Sequence, residues 1–328
     1  MDNLTHSLVG LFLARAGLKN FTPRGTAIMV IAANAPDFDA VTFFMGGPTY
    51  IRWHRNITHS LIAIPVMALV TLLVVRLLGR KQIRWLPAFL IAIVGVASHI
   101  VLDLTNVYGV RILLPFSGQW FHWDMTPIFD LTLWAILLLG VIAPWFGRLV
   151  GSEIGEHKGR PGKGWAIACL VLFTAFDYGR LVLHDRAAAT VDSFLYSGQK
   201  PLRAGAFPDE NPLIWGGIAE LNDSYVSGTV DLRERFRPNS VVRYYKAQRT
   251  PVVDAAMQTV PFRRFLEFVQ WPIWQTEPAP DLERATRVSL IDLRFGTPST
   301  PGFEAVATVN DRGQVVDSAF TFGTPRPK

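Results

Sequence analysis

Four apolar segments within the first 185 residues are long enough to cross a lipid bilayer. They occupy residues 57–78, 85–104, 127–147 and 164–183. A helix needs about 20 mostly apolar residues to span the hydrocarbon core. Two shorter apolar stretches, residues 4–18 and 25–44, precede them. We expect these two to form short helices packed among the longer ones, because neither reaches a full span.

The composition of the chain changes after residue 185. Charged residues make up 18% of the whole sequence, below the roughly 25% typical of soluble domains, and the deficit lies before residue 186. Beyond that point the sequence predicts two strands within residues 211–232, a helix broken at Pro261, and a hairpin turn at residues 310–313. We therefore expect a mainly α protein with two domains. Residues 1–185 form a polytopic helical membrane bundle of four long spans and two short N-terminal helices, and residues 186–328 form a smaller α+β extramembrane domain.

Basic residues cluster in the connections between the apolar segments. Loops rich in Lys and Arg usually face the cytoplasm. The net charge of +6, from 32 basic and 26 acidic residues, is therefore explained by the orientation of the chain in the membrane. No nucleic-acid partner is expected. The opposite ends of the segments, and residues 186–328, then lie outside the cytoplasm. The cytoplasmic loops predicted in this way contain Arg15, Lys19, Arg24, Arg76, Arg80, Lys81, Arg84, Arg148, Lys158, Arg160 and Lys163.

The extracytoplasmic ends of the apolar segments carry histidines and aspartates. Ionisable residues at bilayer depth are costly and usually mark a functional site. Their nitrogen and oxygen donors suit Zn²⁺, Mn²⁺ or Fe, and they outnumber what one ion needs, which predicts a di- or trinuclear site. The candidate metal ligands are His6, Asp37, Asp39, His54, His59, His99, Asp103 and Asp130.

Each of these motifs also has a purely structural interpretation. His99 and Asp103 are four residues apart and share one helix face, but Asp103 alternatively only orients His99. The acidic sequence PDFD at residues 36–39 alternatively ends a helix in a turn. Asp130 alternatively caps the helix that follows it. The location of all of these residues on one membrane face favours a site over these separate explanations.

Five motifs, taken in order, resemble those of a known family. They are MDNLTHSLVG (1–10), PDFD (36–39), HRNITHS (54–60), SHIVLDLTNVYG (98–109) and LLPFS (113–117). The resemblance is to the YdjM family of membrane-bound, predicted metal-dependent hydrolases, and it is close over residues 1–185. It implies that the site consists of His6, Asp37, Asp39, His54, His59, His99 and Asp103, with Asp130 as a further member. That family is grouped with zinc-dependent phospholipase C and P1 nuclease, which implies phosphoester hydrolysis. Those enzymes use an N-terminal tryptophan as a ligand, and this chain has Met1 instead.

Together these features predict a multi-pass hydrolase of the bacterial inner membrane. A divalent metal, with zinc favoured and manganese or iron as alternatives, would activate water to attack a membrane lipid or lipid-linked phosphoester. Asp37, His54 and Arg55 are the predicted catalytic residues, with Arg55 binding the phosphate. A cation or proton transporter is a second interpretation, but only Asp177 and Arg180 lie deeper in an apolar segment. A third is a non-catalytic membrane protein that its metal stabilises.

Overall fold

The chain forms two compact units in a computed structural model, which describes residues 1–79, 82–153, 162–279 and 282–323. The first unit contains Met1–Asp39, Arg55–Asp185 and Pro208–Leu213, and the second contains Ala40–His54, Arg186–Phe207 and Ile214–Lys328. Residues 40–54 and 208–213 therefore belong to a different unit from the residues on either side of them. The main boundary between the units lies between Asp185 and Arg186. The predicted cytoplasmic residues Arg80, Lys81, Lys158 and Arg160 lie outside the described residues.

Helices build the first unit and contribute smaller elements to the second. The α-helices are α1 (Asn3–Arg15), α2 (Gly25–Ala32), α3 (Gly47–Trp53), α4 (Ala63–Leu77), α5 (Trp85–Leu104), α6 (Leu131–Glu153), α7 (Lys163–Ser193), α8 (Pro251–Met257) and α9 (Val260–Leu266). Two 3₁₀ segments matter for the site, Pro36–Met45 and Ile57–His59.

The prediction of a mainly α bundle with four long spans is wrong. Among the described residues, α5 and α7 are the two helices long and apolar enough to cross a membrane alone. The number reaches four if two bent pairs each count as one span: α2 with the 3₁₀ segment after it, bent by 47°, and Gly47–His59 with α4, bent by 90°. The strands of the second unit make the fold a mixed α and β structure rather than a mainly helical one.

Polar residues shorten two of the predicted spans at the end where the candidate ligands lie. Ser60 has an extended backbone, with φ −81° and ψ 155°, so the 3₁₀ segment at residues 57–59 does not continue directly into α4. Asp130 Oδ1 accepts hydrogen bonds from the backbone N–H groups of Thr132 (2.9 Å) and Leu133 (3.0 Å). That cap starts α6 at the next residue. Hydropathy alone does not reveal such boundaries, because the flanking residues stay apolar.

Small residues allow close packing of α2 against α1 and α5. A Cβ atom built on Gly10 of α1 would lie 2.9 Å from the Cβ of Ala33, and one built on Gly95 of α5 would lie 2.6 Å from the Cβ of Ala32. Both separations are too short for a side chain, so glycine is required for this approach. The buried residues Ile28, Met29, Leu72, Ile91 and Val96 continue this core. The packing holds α5 against the end of α2, where the candidate site begins.

Two four-stranded sheets dominate the second unit, with strand orders β1-β2-β3-β4 and β10-β9-β6-β5. The strands are β1 (Arg203–Pro208), β2 (Ile214–Glu220), β3 (Ser224–Asp231), β4 (Val242–Tyr245), β5 (Pro272–Pro278), β6 (Thr286–Asp292), β7 (Gly296–Thr297), β8 (Thr300–Pro301), β9 (Phe303–Val309) and β10 (Val315–Phe322).

The two hairpin turns predicted from the sequence are present in these sheets. Glu220 pairs with Tyr225 across the turn that contains Asn222 and Asp223. In the turn between β9 and β10, the Asn310 side chain accepts hydrogen bonds from the backbone N–H groups of Arg312 (3.1 Å) and Gln314 (2.9 Å). Gly313 has φ 74° in that turn, a conformation that glycine adopts without strain.

Candidate metal centre

Four potential ligands from three separate elements converge inside the first unit. Asp37 lies at the start of the 3₁₀ segment after α2, and His59 ends the short 3₁₀ turn before α4. His99 and Asp103 lie one turn apart on α5. His59, His99 and Asp103 are 0% exposed and Asp37 is 9% exposed. One donor atom from each of the four lies within 4.8 Å of all the others.

The distances between these donor atoms fit one metal ion. The two Nε2 atoms of His59 and His99 are 3.1 Å apart. Asp103 Oδ2 lies 3.3 Å from each Nε2, and Asp37 Oδ1 lies 3.5 Å from each. In a tetrahedral zinc site with ligand distances of about 2.0–2.1 Å, neighbouring ligand atoms are about 3.3 Å apart. These five distances are close to the edge lengths of a tetrahedral coordination sphere.

The hydrogen bonds around the two imidazoles turn both Nε2 atoms towards Asp37 and Asp103. His99 Nδ1 lies 2.7 Å from the carbonyl oxygen of Ala33, which can only accept a hydrogen bond. His59 Nδ1 lies 3.2 Å from Asp39 Oδ2. With the ring protons assigned to Nδ1, each Nε2 presents a lone pair. Carbonyl and carboxylate partners orient metal-bound histidines in this way.

A cation would be electrostatically favoured at this centre. Two lone pairs and two carboxylate oxygens face one another away from solvent, and unpaired buried acceptors are costly. Protons on both Nε2 atoms, or a single metal ion among the four donors, would satisfy all of these atoms. The buried cluster can thus hold a metal ion, and the chemistry of its donors suits a borderline divalent metal.

Asp39 supports the centre from behind His59. Its Oδ2 accepts hydrogen bonds from the Thr58 hydroxyl (2.5 Å) and from the backbone N–H of Arg55 (3.0 Å), in addition to its contact with His59. These three contacts hold the carboxylate and the imidazole in fixed relative positions. The predicted metal ligand Asp39 thus lies on the far side of the His59 ring from the Nε2 atom.

His6 lies beside the four donors. Its ring stacks on the His99 ring with a centroid separation of 3.8 Å, and its Nε2 lies 3.3 Å from Asp103 Oδ1. Burial lowers the pKa of His6 to about 3. The neutral imidazole, which is the form that binds metals, is therefore favoured at this position.

Arg55 neutralises part of the charge on Asp103. Its Nη2 lies 2.9 Å from Asp103 Oδ1, the oxygen that the Met1 amino group also contacts. The guanidinium is buried and lies over the Tyr108 ring, 5.1 Å from the ring centroid. Arg55 has φ 54°, a conformation uncommon for a residue with a side chain, and such strained positions cluster at functional sites.

The comparison with known families agrees with the motifs that form this centre. The family model described as "YdjM inner membrane protein" matches residues 1–183. The chain belongs to the YdjM family. It is therefore a membrane protein of that family, and the four converging ligands all lie within the matched residues. A protein of Bacillus subtilis (strain 168) named "Uncharacterized protein YfhP" is 29% identical over 331 residues, which cover 94% of this chain and 91% of that protein. No solved structure matches the chain.

Two other predicted ligands lie outside the group of four. Asp130 lies within the YdjM match and caps α6. Its Oδ2 lies 3.5 Å from Nη1 of Arg180. That arrangement is the capping alternative raised by the sequence. His54 follows α3 in the second unit, where its ring stacks on Tyr50 at a centroid distance of 4.6 Å. The predicted metal role of Asp130 and the predicted metal and catalytic roles of His54 remain predictions.

Several residues that support the centre were not identified from the sequence. The Ala33 carbonyl fixes the His99 ring, and the Thr58 hydroxyl fixes Asp39. Asn106 Oδ1 accepts hydrogen bonds from the Tyr108 backbone N–H (2.9 Å) and from Nη1 of Arg55 (3.5 Å). Thr58, Asn106 and Tyr108 do lie within the YdjM motifs at 54–60 and 98–109. Their motif membership was the available signal, since neutral side chains carry no metal-ligand signature.

Proposed function

We propose that this protein is a membrane-embedded, metal-dependent hydrolase of phosphoester bonds. The observation that carries the proposal is the convergence of four buried donors, from His59, His99, Asp103 and Asp37, at the spacing of a tetrahedral zinc site. A bound divalent ion, with zinc favoured, would supply Lewis-acid activation of water and of the phosphoryl oxygens. Manganese and iron fit the same donor set.

The position of Asp37 suggests how the four donors divide the work. Catalytic zinc sites keep three protein ligands and one exchangeable position. All four donor residues are buried, and Asp37 is the one among them that also lines an apolar cleft. We assign His59, His99 and Asp103 to holding the ion. Asp37 would accept a proton from the attacking water as a general base.

Arg55 provides the positive charge that a phosphoester substrate needs. Its guanidinium already lies 2.9 Å from Asp103 Oδ1, so it is held beside the donor group rather than on a mobile surface chain. A planar guanidinium binds two oxygens of a phosphate at once. Arg55 would therefore orient the substrate and stabilise the charge that develops on it. His6, neutral and stacked on His99, would complete the shell around a second ion.

The same geometry supports a second candidate function. Four protein ligands that all remain bound close a tetrahedral zinc site, and closed sites are structural. The ion would then hold the ends of α2, α4 and α5 together in a non-catalytic membrane protein. The two functions differ in whether Asp37 exchanges with water.

The location of the site follows from the charge distribution and is part of the proposal. We place the chain in the bacterial inner membrane as a multi-pass protein, with the metal centre and the second unit on the extracytoplasmic side. Arg15, Lys19, Arg24 and Arg84 flank the helix ends away from the centre, as the positive-inside rule requires for a cytoplasmic face.

The decisive experiment measures metal content and hydrolysis on the same purified protein. The wild type, Asp37→Asn and the control Asp177→Asn are compared by elemental analysis and with bis-p-nitrophenyl phosphate as substrate. Hydrolysis requires metal and is lost in Asp37→Asn but kept in Asp177→Asn if the proposal holds. Bound metal without hydrolysis in the wild type would support the structural function. A protein that binds no divalent metal would overturn both.

A further inference from the structure

An apolar cleft of about 650 Å³ opens on the first unit beside the metal centre. Its walls come from α2 and α4, and include Ile31, Met67, Val70 and Val74. Val70 and Val74 are exposed and Met67 is partly exposed, so the cleft is open along its length. Its volume lies within the range of roughly 300–1,000 Å³ that is typical of ligand sites.

Polar residues of the cleft include one of the metal ligands. Asp37 lines the cleft, and its Oδ1 is also 3.5 Å from the Nε2 atoms of His59 and His99. Asn34, another lining residue, is held in place because its amide nitrogen donates to Ser7 Oγ (3.0 Å) and to the Val30 carbonyl (2.8 Å). Asp37 therefore borders both the cleft and the metal centre.

We infer that this cleft binds the hydrocarbon chain of a membrane phospholipid whose phosphoester lies at Asp37. The inference rests on the proposed hydrolase function and names its substrate class. The cleft has apolar walls and a polar group at the metal centre, which is the pattern of an amphiphile rather than of a small soluble phosphoester. Its walls belong to α2 and α4, both members of the bent pairs that are apolar enough to span a membrane. The bilayer would therefore supply the chain directly to the cleft.

A second apolar cleft on α4 gives a matched control. It has a volume of about 530 Å³ and is lined by Pro65, Leu69, Leu86 and Phe89 among others, with no titratable residue among its lining. Leu69 and Val70 are adjacent in sequence and both are exposed. The same tryptophan side chain is introduced into α4 at either position, but only position 70 lies in the lining of the cleft that contains Asp37.

Photo-cross-linking tests the inference without requiring turnover. The full-length protein in maltoside micelles is mixed with phosphatidylglycerol that carries a diazirine on one acyl chain, and adducts are mapped by mass spectrometry. We expect saturable labelling of Met67, Val70 and Val74, and labelling at Leu69 and Leu86 that rises linearly with the probe. Val70→Trp lowers the saturable labelling about tenfold, because the acyl chain loses contact for about two of its methylene groups. Leu69→Trp leaves this labelling unchanged. A diazirine-labelled diacylglycerol, which lacks the phosphate, labels the cleft more weakly.

The outcomes separate this inference from the proposed hydrolysis. Equal, unsaturable labelling of both clefts, or saturable labelling that Val70→Trp does not reduce, would overturn the lipid cleft even if bis-p-nitrophenyl phosphate is hydrolysed. Saturable labelling in a protein that hydrolyses no phosphoester would keep the lipid site and remove the hydrolase. Matched thermal stability of the two tryptophan variants shows that a loss of labelling does not reflect unfolding.

Discussion

Replacing Asp39 with asparagine tests whether the residues behind His59 tune a real metal site. Asp39 Oδ2 contacts His59 Nδ1 at 3.2 Å and receives hydrogen bonds from Thr58 and from the Arg55 backbone. Asparagine keeps the shape but removes the negative charge that increases the basicity of the imidazole. Such supporting residues typically change metal affinity by about 10–100-fold. Because the four converging donors remain, the number of bound ions should not change.

The expected change in stability follows from linkage between binding and folding. A metal present at about 100 times its dissociation constant stabilises the folded wild type by about 2.7 kcal/mol. If Asp39→Asn weakens binding by about 10–100-fold, the same metal concentration stabilises the variant by about 1.4 to 0.4 kcal/mol. For a unit of this size, the metal should raise the Tm of the wild type by about 5–10 °C and that of the variant by about 1–5 °C.

Thermal unfolding in detergent, with zinc buffered or chelated, measures this difference. Asp177→Asn is the control, because Asp177 is a buried carboxylate of the same unit that belongs to no group of converging ligands among the described residues. Its zinc-dependent rise in Tm should equal that of the wild type. The reasoning is refuted if Asp39→Asn keeps the full rise in Tm, or if Asp177→Asn loses as much of it.

Three further substitutions test other parts of the structure. Gly95→Val should push α5 away from Ala32, lower the free energy of unfolding by about 1–3 kcal/mol and weaken zinc binding. In the control Gly179→Val, the added Cβ meets no atom within 4 Å, so zinc binding should not change. A zinc titration measures both variants. Arg55→Lys should keep the bound metal, by elemental analysis, and lower kcat/KM for bis-p-nitrophenyl phosphate about 100-fold, because the planar guanidinium is lost. Arg180→Met should destabilise the fold by about 3–5 kcal/mol by leaving Asp130 buried and unpaired, and a second substitution, Asp130→Asn, should restore much of that stability in a thermal melt.

The sequence identified the four converging residues as candidate ligands because their chemistry is visible in single residues. His99 and Asp103 are separated by one helical turn, and imidazoles and carboxylates are rare in apolar segments. The same reasoning did not separate residues whose donor atoms converge from residues that only orient those donors. Asp39 carries the same carboxylate as Asp37, yet it lies against His59 Nδ1 while Asp37 lies against Nε2. That distinction depends on which side of a ring a carboxylate reaches, which spacing does not encode.

Hydropathy overestimated the spans because apolar residues do not show where a helix begins. The segments 57–78 and 127–147 read as continuous, but Ser60 and Asp130 set later starts for α4 and α6. In the second unit the turn residues were informative, and the hairpins around Asn222 and Asn310 formed where predicted. Residues 40–54 belong to the second unit, although the residues on both sides of them belong to the first. No local sequence signal indicates this assignment, because it depends on contacts with strands far along the chain.

The position of Asp37 favours the proposed catalytic function over the purely structural one. A structural zinc site is closed by four protein ligands, whereas a catalytic site keeps one position for water or substrate. All four donor residues are buried here, but Asp37 is the one among them that also lines the apolar cleft. A substrate in the cleft would therefore meet Asp37 before the other three residues, and exchange of that ligand would give the substrate access to the ion.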